Sequence, residues 1–348
     1  MNYKDDVLMQ DPNETANQHY VSQVEQCLNA LNPNAIQRNQ RIYTFTLLNR
    51  EDYELSLDDP RGRLISTNMS FKDLFSFEVV PGGNSRHNFE ALFQQYEAEM
   101  KENSLSLLRK LELGKGDLKK EILEIFVGKF MSFLRNPYSV EKVLNTIDIV
   151  LPFQPTDPEL LAQFNAVLAG RKPQQAHLCA QLGITPDQYR QWLKGLFLML
   201  MRSVPGGPNF MESAVKGIFE RPSGFPMVCV YRYTGEHADK RCLISDRGFS
   251  NPLPQDLHLA FSFNLCSNAF IVYIFAQIEN IQLPFQPPPG VIELYKTLQK
   301  NVRVVPFVND LDALVRYNRN VIYQCHHAVY SSAKQVYGAT IKCAATAH

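Results

Sequence analysis

The hydrophobic pattern of this chain changes period twice, and no other feature limits its fold as much. From Gln40 to Leu48 aromatic and β-branched residues alternate with others in the two-residue rhythm of a strand. Arg63–Met69 is expected to pair with this strand after Asp59-Pro60-Arg61-Gly62, where proline and glycine suit a tight reversal. Pro81-Gly82-Gly83 is expected to end the first β segment. The rhythm then becomes helical. Phe89, Leu92, Phe93, Tyr96, Met100, Leu105, Leu108 and Leu111 recur mostly at three- and four-residue steps, which share one helix face. Asp117 is placed to cap a second helix bearing the stripe Ile122, Ile125, Phe126, Phe130, Phe133 and Leu134, which Pro137 ends or kinks. Further helices are expected from Asp157, Gln174, Thr185 and Asn209, and Trp192–Met201 is apolar nearly all round, as a core helix is.

After Arg221-Pro222-Ser223-Gly224 the strand rhythm returns in Met227–Tyr233, Arg241–Ser245, Leu257–Leu265 and Ala269–Ile278. A proline-rich loop, Pro284–Gly290, precedes a short helix, then a last strand from Val302 to Pro306 and a closing helix from Asn309 to Tyr330. Strands in both flanks with helices between them indicate an α+β fold, with N-terminal and C-terminal strands forming one mixed sheet around a large helical middle segment. The expected layout is a flexible tail over 1–18, a single α+β domain over 19–333 with a helical subdomain at 86–220, and a C-terminal tail over 334–348.

With 348 residues and 45% hydrophobic content the chain has material for a sizeable core. Its 35 Lys+Arg balance 35 Asp+Glu, which excludes a global electrostatic footprint for nucleic acid or anionic membrane. Neither is expected as a partner. Leu257–Ile278 lacks Asp, Glu, Lys and Arg and is long enough to span a bilayer at about 20 residues. Its alternation and its polar members His258, Ser262, Asn264 and Gln277 favour two strands joined near Cys266-Ser267-Asn268. The opening residues lack the basic-then-apolar pattern of a secretory signal, and the seven cysteines show no CxxC spacing and sit mostly in apolar surroundings. Reduced, buried thiols are expected, and with them a cytoplasmic, bacterial protein.

Motifs of standard nucleotide sites and of a nucleophile elbow are missing from the sequence, and no cofactor is expected. Glu99-Met100-Lys101 spells a nuclease-like ExK, but it reads as mid-helix and so as a solvated face. His326 and His327, if helical, point about 100° apart and do not share a metal ion, so no metal site is expected. Ala176–Tyr189 looks like a helix-turn-helix around Gly183. Its second helix opposes Asp187 to Arg190 and Lys194 before turning apolar, which favours a buried αα-hairpin over a DNA reader. Glu51, Asp52, Glu54, Asp58 and Asp59 fall within nine positions and read either as a solvated loop or as a patch matched to a basic partner.

Several short segments occur in a telling order: His19-Tyr20-Val21-Ser22-Gln23, Ile42-Tyr43, Glu90 and Glu97 seven apart, Arg135-Asn136-Pro137, Leu243-Ile244-Ser245-Asp246, Pro252-Leu253, and Tyr317-Asn318 through Ala328–Ser332. Together they resemble the motifs of the uncharacterised family known as domain of unknown function 4238, over about residues 15–333. Ser22 stands where that family has proline, Asn136 where it has threonine, and Arg247-Gly248 where it has asparagine-proline. The resemblance implies a polar cluster of His19, Gln23, Glu90, Glu97, Arg135, Asp246 and Asn318 but supplies no activity. The expected function is therefore protein binding, such as that of an immunity protein neutralising a bacterial toxin, with Glu51, Asp52, Glu54, Asp58 and Asp59 as the contact. The alternative is a metal-dependent nucleic-acid or nucleotide hydrolase working through His19, Glu97, Arg135 and Asp246.

Overall fold

The computed structural model describes residues 16–78, 86–114, 116–202, 204, 206–252, 258–281 and 288–342. The Pro81-Gly82-Gly83 boundary, residues 1–15 of the expected N-terminal tail and 343–348 of the expected C-terminal tail lie outside these. The chain runs through β1 (Asn17–His19), α1 (Gln23–Cys27), β2 (Arg41–Asn49), β3 (Glu54–Leu57), β4 (Arg63–Leu64), β5 (Ser70–Lys72), β6 (Phe77–Glu78) and β7 (Arg86–His87). Next come the helices α2 (Glu90–Glu97), α3 (Met100–Leu113), α4 (Lys119–Leu134), α5 (Val140–Thr146), α6 (Pro158–Ala169), α7 (Gln175–Leu182), α8 (Pro186–Leu200) and α9 (Phe210–Glu220). The last part is β8 (Gly224–Arg232), β9 (Ile244–Ser245), β10 (Leu259–Cys266), β11 (Ala269–Gln277), α10 (Val291–Thr297), β12 (Arg303–Val308), α11 (Leu311–Gln324), β13 (Ala328–Ser331) and β14 (Thr340–Lys342). This is an α+β fold.

Helices begin where a side chain can replace the missing partner of a first-turn N–H. Asp157 accepts from Leu160 N at 2.9 Å, Asp310 accepts from Ala313 N at 2.8 Å, and Thr185 exchanges bonds with Gln188 in a capping box. The apolar face that begins at Phe89 is not one helix: it breaks between Glu97 and Met100, so Glu99-Met100-Lys101 straddles the start of α3 and is not mid-helix.

By contacts the chain divides into two compact units that alternate along the sequence. The first takes residues up to Val24, Thr67–Leu107 and Lys120–Ser213; the second takes Glu25–Ser66, Leu108–Lys119 and Ala214 onward. Of the expected 86–220 subdomain, α2, nearly all of α4, and α5–α8 share the first unit with β1 and β5, which pair antiparallel with Gln18 opposite Phe71, whereas the second half of α3 and most of α9 belong to the second unit. Residues 17 and 18 are thus strand, not loose tail.

The first unit is built on α8, where Tyr189, Trp192, Leu193, Leu196 and Phe197 are fully buried. The polar tips of its two largest side chains are satisfied: Tyr189 Oη donates to Leu74 O and Trp192 Nε1 to Leu134 O, both at 2.7 Å. A Cβ at Gly195 would collide with Ile147 Cδ1, so glycine there lets α5 lie close against α8. Helices α7 and α8, joined through Gly183 at φ +67°, form the αα-hairpin expected of Ala176–Tyr189.

The second unit holds two mixed sheets. One runs β14-β3-β2-β13-β9, with β4 added to the start of β2, and joins strands from both ends of the chain as expected. The other runs β10-β11-β8-β12, with β12 parallel to β8. One continuous sheet does not form, because β9 is only two residues long and the long apolar strands β8, β10 and β11 complete their ladders with one another. The charge-free stretch is the β10–β11 hairpin. No helix among the described residues is long and apolar enough to cross a membrane.

Helix α11 joins residues of both sheets into one core: its Ala313, Leu314, Tyr317, Val321 and Ile322 cluster with Phe45, Leu55, Cys229, Phe270 and Val272. Phe307, Tyr231, Phe270 and Tyr317 stack in a ladder with successive ring centroids 4.6, 4.5 and 4.1 Å apart. The closing helix ends at Gln324 and not at Tyr330. Ala328–Ser331 instead fills the gap between β2 and β9, with Tyr330 opposite both Thr44 and Ile244. The expected C-terminal tail is also ordered in part, since Thr340–Lys342 pairs parallel with β3. Cys27, Cys179, Cys229, Cys242, Cys266 and Cys325 are free thiols, all but Cys27 buried.

Candidate functional site

Seven residues make nearly two turns of helix, so α2 presents Glu90 and Glu97 in nearly the same direction. Arg135 follows the end of α4 and is 1% exposed. Its Nη2 lies 2.5 Å from Glu97 Oε1, and its guanidinium carbon sits 5.0 Å from the centre of the Phe93 ring, on the turn of α2 between the two glutamates. Burial pushes the Glu90 carboxyl up to about 7, with Arg135 pulling it down and Glu97 pushing it further up. Three of the seven residues singled out by the resemblance therefore form one buried cluster.

His19 and Gln23 belong to the same unit. Gln23 Nε2 lies 2.9 Å from His19 Nε2, and His19 Nδ1 lies 3.0 Å from Asn68 O. With the Gln23 amide donating to Nε2, the ring proton sits on Nδ1 and is given to the Asn68 carbonyl; both nitrogens of a neutral imidazole are then occupied. Tyr20 stacks on Phe71 and meets Tyr138 edge-on at 5.4 Å. Tyr138 is in turn held by the Arg135-Asn136-Pro137 turn, in which Asn136 Oδ1 accepts from Tyr138 N at 3.0 Å. The segment starting at His19 and the turn starting at Arg135 are thereby packed together.

A second buried ion pair in this unit is not signalled by the motifs. Arg202 meets Glu212 with two bonds of 2.7 and 2.9 Å. Tyr96 Oη donates to Glu212 Oε1 at 3.0 Å, and Asn209 Nδ2 donates to Tyr96 Oη at 2.6 Å. The available signal was local: Asn209 and Glu212, three apart at the start of α9, form a reciprocal capping box.

Asp246 and Asn318 lie in the second unit, where both fasten the same short segment. Asp246 Oδ1 accepts from His326 N at 2.7 Å, and Oδ2 accepts from His327 N at 2.5 Å and Ala328 N at 3.0 Å. Burial pushes this carboxyl up while the three N–H groups pull it down. Asn318 Oδ1 accepts from Leu243 N at 3.1 Å, and its Nδ2 donates to Arg241 O and Tyr337 O, each at 3.0 Å. The histidines are not on a helix: His326 and His327 occupy the turn before β13 with ring centroids 3.9 Å apart. Burial, with the neighbouring His327, Arg247 and Arg50, lowers His326 to about 4. Among the described residues no three His, Cys, Asp or Glu are grouped as metal ligands.

The acidic segment is largely engaged within the chain and is not one loop. Glu54 is on β3 and reaches Lys342 at 2.7 Å. Asp58 accepts from Thr46 Oγ1 at 2.6 Å and from Arg63 at 2.9 Å, and Asp59 accepts from Arg61 N at 2.8 Å. Glu51 and Asp52 remain on the exposed turn between β2 and β3. The neighbouring Arg50 is turned away from them. Its Nη1 donates to Tyr323 O and, at 3.3 Å, to Cys325 O, placing its charge at the negative end of α11. Leu48 and Tyr323, 53% and 44% exposed, flank Arg50 in sequence and in space respectively.

No family model, curated protein or solved structure matches this chain.

Proposed function

We propose that this protein acts by binding a basic protein partner, through the β2–β3 turn, and that it is a divergent member of the family it resembles. The observation that carries the reading is the state of Asp246, whose two carboxylate oxygens already accept three backbone N–H groups. Hydrolysis assisted by a metal needs carboxylates open to the ion and its water. Here the strongest acidic candidate is occupied in joining two short strands, and His19 has both ring nitrogens engaged. The family reading is supported by Glu90 and Glu97 on one helix meeting Arg135, which is distant from both in the sequence, in one cluster.

The contact surface is supported by what Arg50 does. By serving the end of α11 it leaves Glu51 and Asp52 as an uncompensated acidic tip, beside exposed apolar area from Leu48 and Tyr323. Acidic charge around an apolar patch suits a basic partner, such as a toxin held by an immunity protein in the cytoplasm, over an area of about 800 Å² on this side. Co-expression with the product of the adjacent gene tests this. Co-purification that is lost in the double variant Glu51→Lys, Asp52→Lys is the expected result. Failure to co-purify together with no protection from toxicity refutes the reading, and phosphodiester cleavage by the wild-type protein with magnesium or manganese would favour the hydrolase.

A further inference from the structure

Within the second unit a cavity of about 520 Å³ opens between α11 and one face of the four-stranded sheet. Alternate residues of a strand point to the same face. Cys229 on β8 and Phe270, Val272 and Ile274 on β11 accordingly form an apolar floor. At the mouth stand Arg316 and Arg319, three apart on α11, and among the described residues no Asp or Glu lines the cavity. The size falls within the usual range for small-ligand pockets, roughly 300–1,000 Å³.

The two arginines are prepared differently. Arg319 is held: Nε donates to Gly338 O at 3.1 Å, and its guanidinium carbon lies 4.9 Å from the centre of the Tyr53 ring. Tyr53 takes a left-handed backbone conformation, φ +54°, at the β2–β3 turn, a conformation that non-glycine residues seldom adopt. Arg316 is exposed on α11. A low-dielectric floor under two cations, with no carboxylate among the described lining residues, selects a ligand that brings the anion and has an apolar body.

We propose that this cavity binds a small amphipathic carboxylate, its apolar body on Val272 and Ile274 and its carboxylate between Arg316 and Arg319. The site adjoins the β2–β3 turn through Tyr53, but its test reads a small ligand alone and is decided separately from the protein contact proposed above.

Sodium decanoate is the probe, titrated calorimetrically into the whole chain. Saturable binding is expected, weakened about tenfold in Arg316→Gln and largely kept in Arg316→Lys, a tenfold change being about 1.4 kcal/mol. Arg316 is exposed, so these variants leave the fold intact, which circular dichroism checks. Val272→Trp, which fills the floor, is expected to abolish binding, and decanol, with the same chain but no charge, to bind at least tenfold more weakly. The proposal is overturned if decanoate shows no saturation in the millimolar range, if Arg316→Gln binds as the wild type does, or if decanol equals decanoate. Tighter binding of adenosine monophosphate to the same residues would overturn the ligand class.

Discussion

Arg135 and Arg202 in the first unit are buried against carboxylates, whereas Asp246 and Asn318 in the second are buried against backbone. Asn264 and Asn29, also in the second unit, exchange amide bonds of 2.8 and 3.1 Å with each other. The difference has a physical content. A buried ion pair offsets two large desolvation costs with one attraction, so removing either member leaves the other uncompensated. A carboxylate or amide that serves backbone groups also fixes chain path, which is why the two-residue strand β9 and the four-residue β13 hold their places.

The comparison breaks most visibly at Arg202. Arg202→Met strands the Glu212 carboxylate and is expected to lower the unfolding free energy in urea by about 4 kcal/mol, with part recovered by adding Glu212→Gln. A loss below about 1 kcal/mol would show that the first unit does not depend on paired charge. Asp246→Ala comes next, because it leaves three N–H groups without their acceptor. We expect a loss of about 3 kcal/mol, and a smaller loss in Asp246→Asn, which keeps one acceptor oxygen.

One group in each unit responds to acidity, and the two respond in opposite directions. Glu90 has its pKa raised from 4.5 to about 7, so the folded protein holds this proton more tightly than the unfolded chain does. Its contribution is full below 4.5 and is lost as pH climbs through about 7; Glu90→Gln removes that slope and raises stability at pH 8. His326 has its pKa lowered from 6.5 to about 4, so the folded protein favours the neutral ring. Its contribution is full above 6.5 and is lost as pH falls toward 4, a slope that His326→Gln removes. Melting temperatures of the wild type and both variants between pH 4 and 8 measure the two slopes, and parallel curves for either variant and the wild type would refute that assignment. The smallest effect is reserved for the surface: Lys342→Ala loses the pair with Glu54 and is expected to cost less than about 1 kcal/mol by the same urea titration.

Features fixed by neighbouring residues were legible in the sequence. Asp157, Thr185 and Asn209 sit at helix starts because a cap acts on an N–H two or three positions away. Strands β3 and β13 were not legible. Leu55 and Leu57 alternate as strand residues do, but acidic neighbours masked them, and Val329-Tyr330 continued an apolar stripe whose true partners lie at the other end of the chain. The site divides in the same way. Glu90 and Glu97 were readable as a shared helix face, while the meeting of Glu97 with Arg135 is a tertiary event. The role of Asp246 could not be read at all, because its partners are backbone N–H groups, which every residue but proline carries and which leave no mark in a sequence.

The pairing of β2 with β13 has a consequence for synthesis. Thr44 leaves the ribosome long before Tyr330, roughly fifteen seconds to a minute earlier at a typical elongation rate of about 5–20 residues per second. Throughout that interval the aromatic strand Arg41–Asn49 has β3 and β4 on one edge, while the edge that β13 will occupy stays bare. A nascent chain in that state is a natural client for a holding chaperone, and a stop codon anywhere before Ala328 would leave that edge open for good.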